Sequence, residues 1–308
     1  MRKLCLLFLL ACANLLLAQD FKVLHSYGNN TLKTTKKKIF IGTSLKNSDV
    51  IVVGENSYIN LMHEKTGKTL EIKQKGEYLL GNFKVPAQGS STFAKYGSFV
   101  LGEMTKAEKQ DINKNHRKYM AMTGAVSRER KSISIDKAIP LVVPPESENS
   151  YLFGNSTTIV WVGEEGKKYY VRIKTLGGET VALLEVTQPK FTFNFSLLKK
   201  NKDGLANYEV LVYEAENENV KGSFNISLLE ARNRSNIEKE IKDFRPETAM
   251  DYLILARFFE ENKLLFDALS CYEKALEMQN DEFIKTTYME FLVRNRMGYT
   301  YAENQEKK

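Results

Sequence analysis

The chain has 308 residues, 43% of them hydrophobic and 27% charged, which excludes a disordered or low-complexity polymer and allows two or three domains with cores of their own. Its formal net charge is +7, of which Arg2 and Lys3 contribute two, and three cysteines are too few for a disulfide framework. The basic surplus is thin and lacks interleaved aromatics, which argues against nucleic acid as a partner.

The N-terminus, MRKLCLLFLLACANLLLAQD, reads as a secretory signal. Arg2 and Lys3 form the charged start, an apolar run follows, and cleavage is expected after Ala18, giving a signal peptide at 1–18. The alternative is lipoprotein acylation at Cys12, at the end of LLAC. Against it, Leu15, Leu16 and Leu17 are apolar where such a tether is polar. Both readings make the protein exported, in the periplasm or the cell envelope. Only the second attaches it to a membrane, by lipidation at Cys12. No later stretch is long and apolar enough to span a bilayer. With Cys5 and Cys12 in the signal, Cys271 remains alone and reads as a small buried hydrophobe.

Residues 19–88 alternate as strands. FKVLHSYG, KKIFIGTSL, DVIVVGENSYINLMHE and KTLEIKQKGEYLLG are the strand runs, with glycines at or beside the breaks. Lys33–Lys38 (KTTKKK) reads as a solvated turn. IGTSL, SDVIVV, NSYINLMHEKTGKTLEI and KGEYLL together resemble the extracytoplasmic domain of FecR-type sensor proteins. The resemblance covers this module alone and implies a small all-β domain outside the cytoplasmic membrane. That family also signals to sigma factors through a cytoplasmic segment and a transmembrane helix. Here the signal sequence leads straight into the β module, so that signalling half is not expected.

Residues 89–131 change period. Phe93, Tyr96, Phe99, Val100 and Met104 recur at helical spacing, with Ser90 or Ser91 as a cap. A basic loop follows. Lys114, Arg117, Lys118, Arg128, Arg130 and Lys131 stand against the single Glu129. They are a candidate contact for an acidic partner, lipid headgroups or polysaccharide, the alternative being a solvated linker.

Residues 132–230 give seven candidate strands, AIPLVVPP, TTIVWVGE, KKYYVRIKTLG, ETVALLEVTQ, FTFNFSLL, NYEVLVYEAE and GSFNISLLE. Their rhythm resembles an immunoglobulin or fibronectin-III β-sandwich. Trp161, on the same face as Ile159, is expected to plug its core. Tyr169, Val171 and Ile173 alternate, as do Tyr208, Val210 and Val212, so each set is expected on a buried face.

Residues 231–308 read as helical. Ser235 and Glu238 fit a capping box, and Pro246 with Glu247 and Asp251 marks the start of a helical hairpin turning at Asn262–Lys263. Tyr252, Leu255, Ala256 and Phe259 on the first helix, with Ala268, Tyr272 and Ala275 on the second, are similar in register to one tetratricopeptide repeat (249–280). Asn280 replaces the closing proline. One repeat later, Thr286, Met289, Glu290 and Val293 fit poorly, so a single repeat is expected. A lone repeat cannot bury its faces and must pack against something. Ile254, Phe258 and Phe266 lie off the repeat positions and are the candidate partner-binding surface, with internal packing as the alternative.

No catalytic, cofactor-binding or metal-binding constellation is visible. His25, His63 and His116 have no neighbours at ligand spacing, and there is no nucleophile elbow, P-loop or dinucleotide glycine pattern. The expected fold class is multidomain, mainly β with a C-terminal α-helical domain. The expected function is an exported, non-enzymatic envelope scaffold that meets another envelope protein through its repeat, without cofactor or nucleic acid. Alternatives are a glycan- or ligand-binding module on a β domain, favoured by exposed aromatics on a sandwich face away from Trp161, and a hydrolase with an unrecognised site.

Overall fold

The computed structural model describes residues 20–84, 91–109, 139–145, 151–198, 207–280 and 282–297, side chains at 91–92 and 103–109 excepted. The signal segment and the six basic candidates between Lys114 and Lys131 lie outside these residues. The chain divides into two compact units, Met1–Lys106 with Asp243–Asp251, and Ala107–Lys242 with Tyr252–Lys308. Several β-sheets and five α-helices are present among the described residues, with the helices concentrated toward the C-terminus. The helices are α1 (Ser91–Lys109), α2 (Ala231–Ile241), α3 (Ala249–Glu261), α4 (Leu265–Met278) and α5 (Glu282–Arg294).

The first unit holds β1 (Phe21–Tyr27), β2 (Asn30–Leu32), β3 (Ser44–Leu45), β4 (Val50–Val53), β5 (Tyr58–His63), β6 (Thr69–Ile72) and β7 (Gly76–Leu79). They form antiparallel sheets in the orders β3-β1-β5-β6 and β2-β4-β7. Period-2 alternation sends Phe21, Val23, Ile51, Val53, Ile59 and Leu61 from both sheets into one core. Lys33–Lys38 forms the expected turn, with Lys36 in the left-handed region. Helix α1 buries Phe93, Tyr96 and Val100 of the expected stripe and also Leu101, while Phe99 is half-buried and the Met104 side chain lies outside the described ones. Gly67 has φ +69°, and a Cβ there would lie 2.4 Å from the Phe93 carbonyl carbon, so only glycine lets the β5–β6 turn meet the α1 backbone. Phe244 stacks on Phe93 at 3.8 Å between ring centroids.

Residues 243–251 carry the start of the helical hairpin where Pro246, Glu247 and Asp251 mark it, and they also hold the capping box expected at Ser235. Helix α2 begins at Ala231, so Ser235 is inside it and cannot cap it; Glu238 instead pairs with Arg234 at 3.2 Å. The capping box is Thr248 with Asp251, ahead of α3. The Asp251 N–H donates to Thr248 Oγ1 at 3.1 Å, and Asp251 Oδ2 accepts the Thr248 N–H at 3.0 Å. Asp251 Oδ1 accepts the Thr69 N–H at 3.1 Å, tying the helix start to β6.

The second unit holds β8 (Tyr151–Leu152), β9 (Ser156–Val160), β10 (Tyr169–Thr175), β11 (Thr180–Val186), β12 (Lys190–Asn194), β13 (Asn207–Glu214) and β14 (Lys221–Leu228). One sheet runs β11-β10-β13-β14-β8, parallel only at β14–β8, and β12 pairs with β9. Six of the seven candidate strands stand as β9 to β14. The first, AIPLVVPP, does not, because Pro140, Pro144 and Pro145 have no N–H for a ladder. It contributes one bridge, Leu141 to Trp161, and β8 is the strand the reading missed. Trp161 is 1% exposed and meets Tyr169 edge-on at 5.4 Å, in a core shared with Ile159, Val171, Ile173, Tyr208, Val210 and Val212.

Helix α3 turns into α4 through Lys263, whose φ is +59°. The Lys263 N–H donates to Glu260 O and the Leu264 N–H to Phe259 O, a Schellman closure. The motif recurs at the end of α5, 33 residues on. There Arg296 has φ +55°, its N–H donates to Val293 O, and the Met297 N–H donates to Leu292 O. Asn262 and Asn295 each donate from Nδ2 to the carbonyl four residues back. A lysine in the left-handed region is strained where glycine is not. Lys263→Gly is therefore expected to stabilise the protein by about 0.5–1 kcal/mol, after allowance for glycine's larger unfolded-state entropy. A raised urea midpoint at unchanged slope checks this, and a lowered midpoint contradicts it.

Candidate functional site

On α4, Phe266, Asp267, Ser270 and Glu273 recur at i, i+1, i+4 and i+7, which places them on one stripe. The structure lays that stripe against the sandwich. Phe266 is 1% exposed, belongs to the sandwich core, and lies 5.4 Å from Phe224 between ring centroids. Ser270 Oγ accepts the Thr158 N–H at 3.0 Å, and Thr157 Oγ1 donates to Phe266 O at 3.2 Å. Strand β9 pairs with β12 on one side, and on the other α4 supplies partners its backbone would otherwise lack.

Asp267 is the centre of this seam. Oδ2 accepts the Phe153 N–H at 2.8 Å and Oδ1 the Gly154 N–H at 2.6 Å. A Cβ on residue 154 would sit 2.9 Å from Oδ1, so any other residue there would make the carboxylate shift. Burial pushes the carboxyl up to about 7, against the two N–H donors and the charge of Arg234, which favour ionisation. The folded value lies above the unfolded one. The proton's stabilisation is therefore complete below pH about 4 and disappears as pH rises to about 7. The stability difference between wild type and the non-titrating Asp267→Asn should fall by about 1.4 kcal/mol per pH unit across that window and stay level above it. Urea unfolding at stepped pH measures this, and a difference independent of pH contradicts it. Cys271, one turn on, is a buried free thiol, and burial raises its pKa well above the usual value.

The other end of the helical region is joined by a second carboxylate. Glu260 on α3 is 4% exposed and takes a forked pair of bonds from Arg294 at 2.7 and 3.0 Å. Asn295 Nδ2 donates to it at 2.7 Å, and Arg257 lies at 2.9 Å. Burial opposes its charge, but these partners outweigh burial and hold the carboxyl below its usual range. Glu273 accepts the Tyr288 hydroxyl at 2.7 Å and faces Lys190 of β12 at 3.4 Å. Tyr272 packs on Phe291 at 4.6 Å, so α4 and α5 share an aromatic seam.

The three candidate docking residues are withdrawn from the surface. Ile254 and Phe258 are fully buried, and Phe266 fills the sandwich core. Helix α3 is apolar around most of its circumference, which suits a central helix and not a presented face. His25 lies beside a bulge in β1 with its ring 5.2 Å from Tyr58, and His63 Nδ1 meets Thr66 Oγ1 at 3.0 Å. His116 lies outside the described residues. Among the described residues no group of three or more His, Cys, Asp or Glu could hold a metal ion. On the outer sandwich face, Tyr213 is 2% exposed beneath the Arg172 guanidinium, which sits 4.8 Å from its ring. Tyr213 is therefore not open, while Tyr151, at the β8 edge of the same sheet, is 37% exposed. In the first unit Tyr27 is 60% exposed and stacks on Tyr58 at 5.5 Å. No described helix is long and apolar enough to cross a membrane.

No protein-family model and no curated protein matches the chain. Among solved structures it is similar to PorZ, a bacterial surface component of the type-IX secretion system of Porphyromonas gingivalis, with 15% identity over 33% of this chain and 13% of that one at a TM-score of 0.22. CopC from Methylosinus trichosporium OB3b is 14% identical over 29% of this chain and 92% of that one, with a TM-score of 0.21. The β-1,2-glucanase from Parabacteroides distasonis is 14% identical over 52% of this chain and 23% of that one, with a TM-score of 0.22. The chain spans less than a quarter of PorZ and of the glucanase. Likenesses at this level carry no statement about its fold or activity.

Proposed function

We propose that this is an exported envelope protein that acts as a non-enzymatic scaffold. Its N-terminal module is read as FecR-like, its second β block as an immunoglobulin- or fibronectin-III-like sandwich, and its α3–α4 hairpin as a tetratricopeptide-type unit. One observation carries the reading. The four buried carboxylates among the described residues, Asp251, Glu260, Asp267 and Glu273, all bridge two secondary-structure elements. Groups that could supply acid–base chemistry in a cleft are occupied in joining the architecture. The partner is another envelope protein, met through exposed surface and not through Ile254, Phe258 or Phe266. Removing residues 235–308 cannot test this, because it would take Phe266 out of the sandwich core. Crosslinking with mass spectrometry on fractionated cells can. The expected result is the protein in the envelope fraction, joined to one or a few envelope proteins. Recovery in the cytosol, or no crosslink to any other protein, contradicts the proposal.

A glycan-binding role is favoured by exposed aromatics, Tyr151 on the sandwich sheet and, more openly, Tyr27 stacked on Tyr58. Loss of polysaccharide retention in Tyr27→Ala would support that reading, and equal retention would remove it.

A further inference from the structure

We infer that the first unit binds an acidic polysaccharide, a pyranose chain carrying anionic groups, on the surface formed by Tyr27, Phe40 and Lys36–Lys38. The inference rests on the glycan reading of Tyr27. It adds the charge of the ligand and the groups that meet that charge.

Residues 20–84 hold eleven lysines and six acids. Each of those acids already has a partner. Glu64, Glu77, Glu71 and Glu55 pair with Lys22, Lys33, Lys73 and Lys75. Asp20 and Asp49 accept the N–H groups of Asn47 and Lys46. Lys36, Lys37 and Lys38 make no ion pair among the described residues. The surplus charge of this segment is therefore gathered at three consecutive positions, where it attracts an anion from outside.

The turn that carries these lysines is fixed. Lys36 has φ +54°, its N–H donates to Leu32 O at 2.7 Å, and the Leu32 N–H donates to Lys37 O at 3.0 Å. Past the turn the chain buries Ile39 in the core and leaves Phe40 60% exposed. The Lys38 ammonium lies 6.0 Å from the Phe40 ring centroid, so charge and aromatic surface adjoin. Asn30, fully buried, ties this segment to the tyrosines. Its Nδ2 donates to Tyr27 O and Tyr58 O, each at 2.9 Å, and its backbone carbonyl accepts the Ile39 N–H at 2.8 Å. The two tyrosine strands and the Lys38–Phe40 segment meet at that one side chain. Their ordering is complete before a ligand arrives.

The ligand class follows from the two features together. The C–H face of a pyranose packs on an exposed aromatic ring. A lysine ammonium is a point charge with three donors and takes an acidic oxygen from any direction. A neutral glycan would leave the lysines unanswered, and a polyanion without rings would leave Tyr27 and Phe40 in water. Two rings are little apolar surface to seat in a bilayer, so a sugar chain fits this surface better than a membrane does.

The test is isothermal titration of the full chain with polygalacturonate, dextran sulfate, neutral dextran and polyglutamate, with flotation on phosphatidylglycerol vesicles alongside. At least one of the two acidic polysaccharides is expected to bind about tenfold or more tightly than dextran and polyglutamate, and to weaken as salt rises. Replacing Lys36, Lys37 and Lys38 together by alanine is expected to bring that polymer to the level of dextran. Phe40→Ala and Tyr27→Ala are each expected to weaken it about tenfold at unchanged net charge. All five side chains are exposed, so the circular dichroism of these variants should match that of the wild type. Dextran bound as tightly as the acidic polymers overturns the inference and leaves the glycan reading standing. Polyglutamate bound as tightly reduces the surface to charge alone and overturns it, as does acidic-polymer binding that survives loss of the three lysines. Binding to vesicles alone overturns it in favour of a membrane surface. No binding to any of the polymers or vesicles removes both the inference and the glycan reading of Tyr27.

Discussion

Phe266→Ala is expected to lower the stability of the sandwich by about 3–5 kcal/mol, although residue 266 belongs to a helix. Its ring is 1% exposed and lies in the core that holds Trp161, Tyr169 and Val210. Truncation removes the buried ring and leaves a cavity that strands on two sheets cannot close without moving. Trp161 is the only tryptophan in the chain, so its fluorescence reports the sandwich side of the seam. The urea midpoint read at Trp161 should fall sharply in Phe266→Ala and less in Phe266→Leu. A midpoint unchanged at Trp161, with helical signal alone lost, would mean that the helices are not part of the sandwich fold.

Glu260→Ala is expected to cost about 2–3 kcal/mol, for a different reason. It leaves Arg294 and Asn295 facing a site from which their shared acceptor has gone. Arg294 is partly open to solvent and recovers hydration there, so the cost falls mainly on the buried Asn295 amide and on Arg257. Helix α5 should lose protection first, because Glu260 is the polar link from α3 to its C-terminal end. Glu260→Gln keeps an acceptor for part of the network and should lose less. The depressed carboxyl sets the sign with pH: the stabilisation is present above the unfolded value of about 4.3 and is lost as pH falls. A loss below about 1 kcal/mol in Glu260→Ala would place Glu260 among weak surface pairs.

The β modules were legible because alternation is a local signal. Tyr169, Val171, Ile173 and Tyr208, Val210, Val212 are buried as their period requires. Trp161 was readable as a core plug because a single large aromatic in an apolar run has few other places to go, although it stands just past the end of β9. The segment around Leu141 misled, since apolar content outweighed the three prolines that deny it a ladder. The capping box at Ser235 was a motif in the wrong frame; the same logic applied to Thr248 and Asp251 identifies the real one. The second Schellman turn, at Asn295–Met297, lies 33 residues after the first and leaves no glycine in the sequence to mark it, since Arg296 takes the left-handed position. Asp267 and Ser270 left a fainter trace, polar residues on the buried stripe of an amphipathic helix. Such a stripe says that something polar is met, but only tertiary structure shows that it is the edge of β9. Ile254, Phe258 and Phe266 show the same limit. Apolar positions beyond a repeat's own needs mark a surface that will be covered, and the sequence does not say by what.

The central claim is that α4 completes the sandwich and does not stand apart as a docking module. Native-state hydrogen exchange in rising urea tests it most directly, comparing amides in the middle of α4 with those of β10 and β13. The structure predicts that the two sets converge on one opening free energy and one urea dependence, as residues of a single cooperative unit do. Exchange of the α4 amides through a separate opening of much lower free energy, with β10 and β13 still protected, would contradict it.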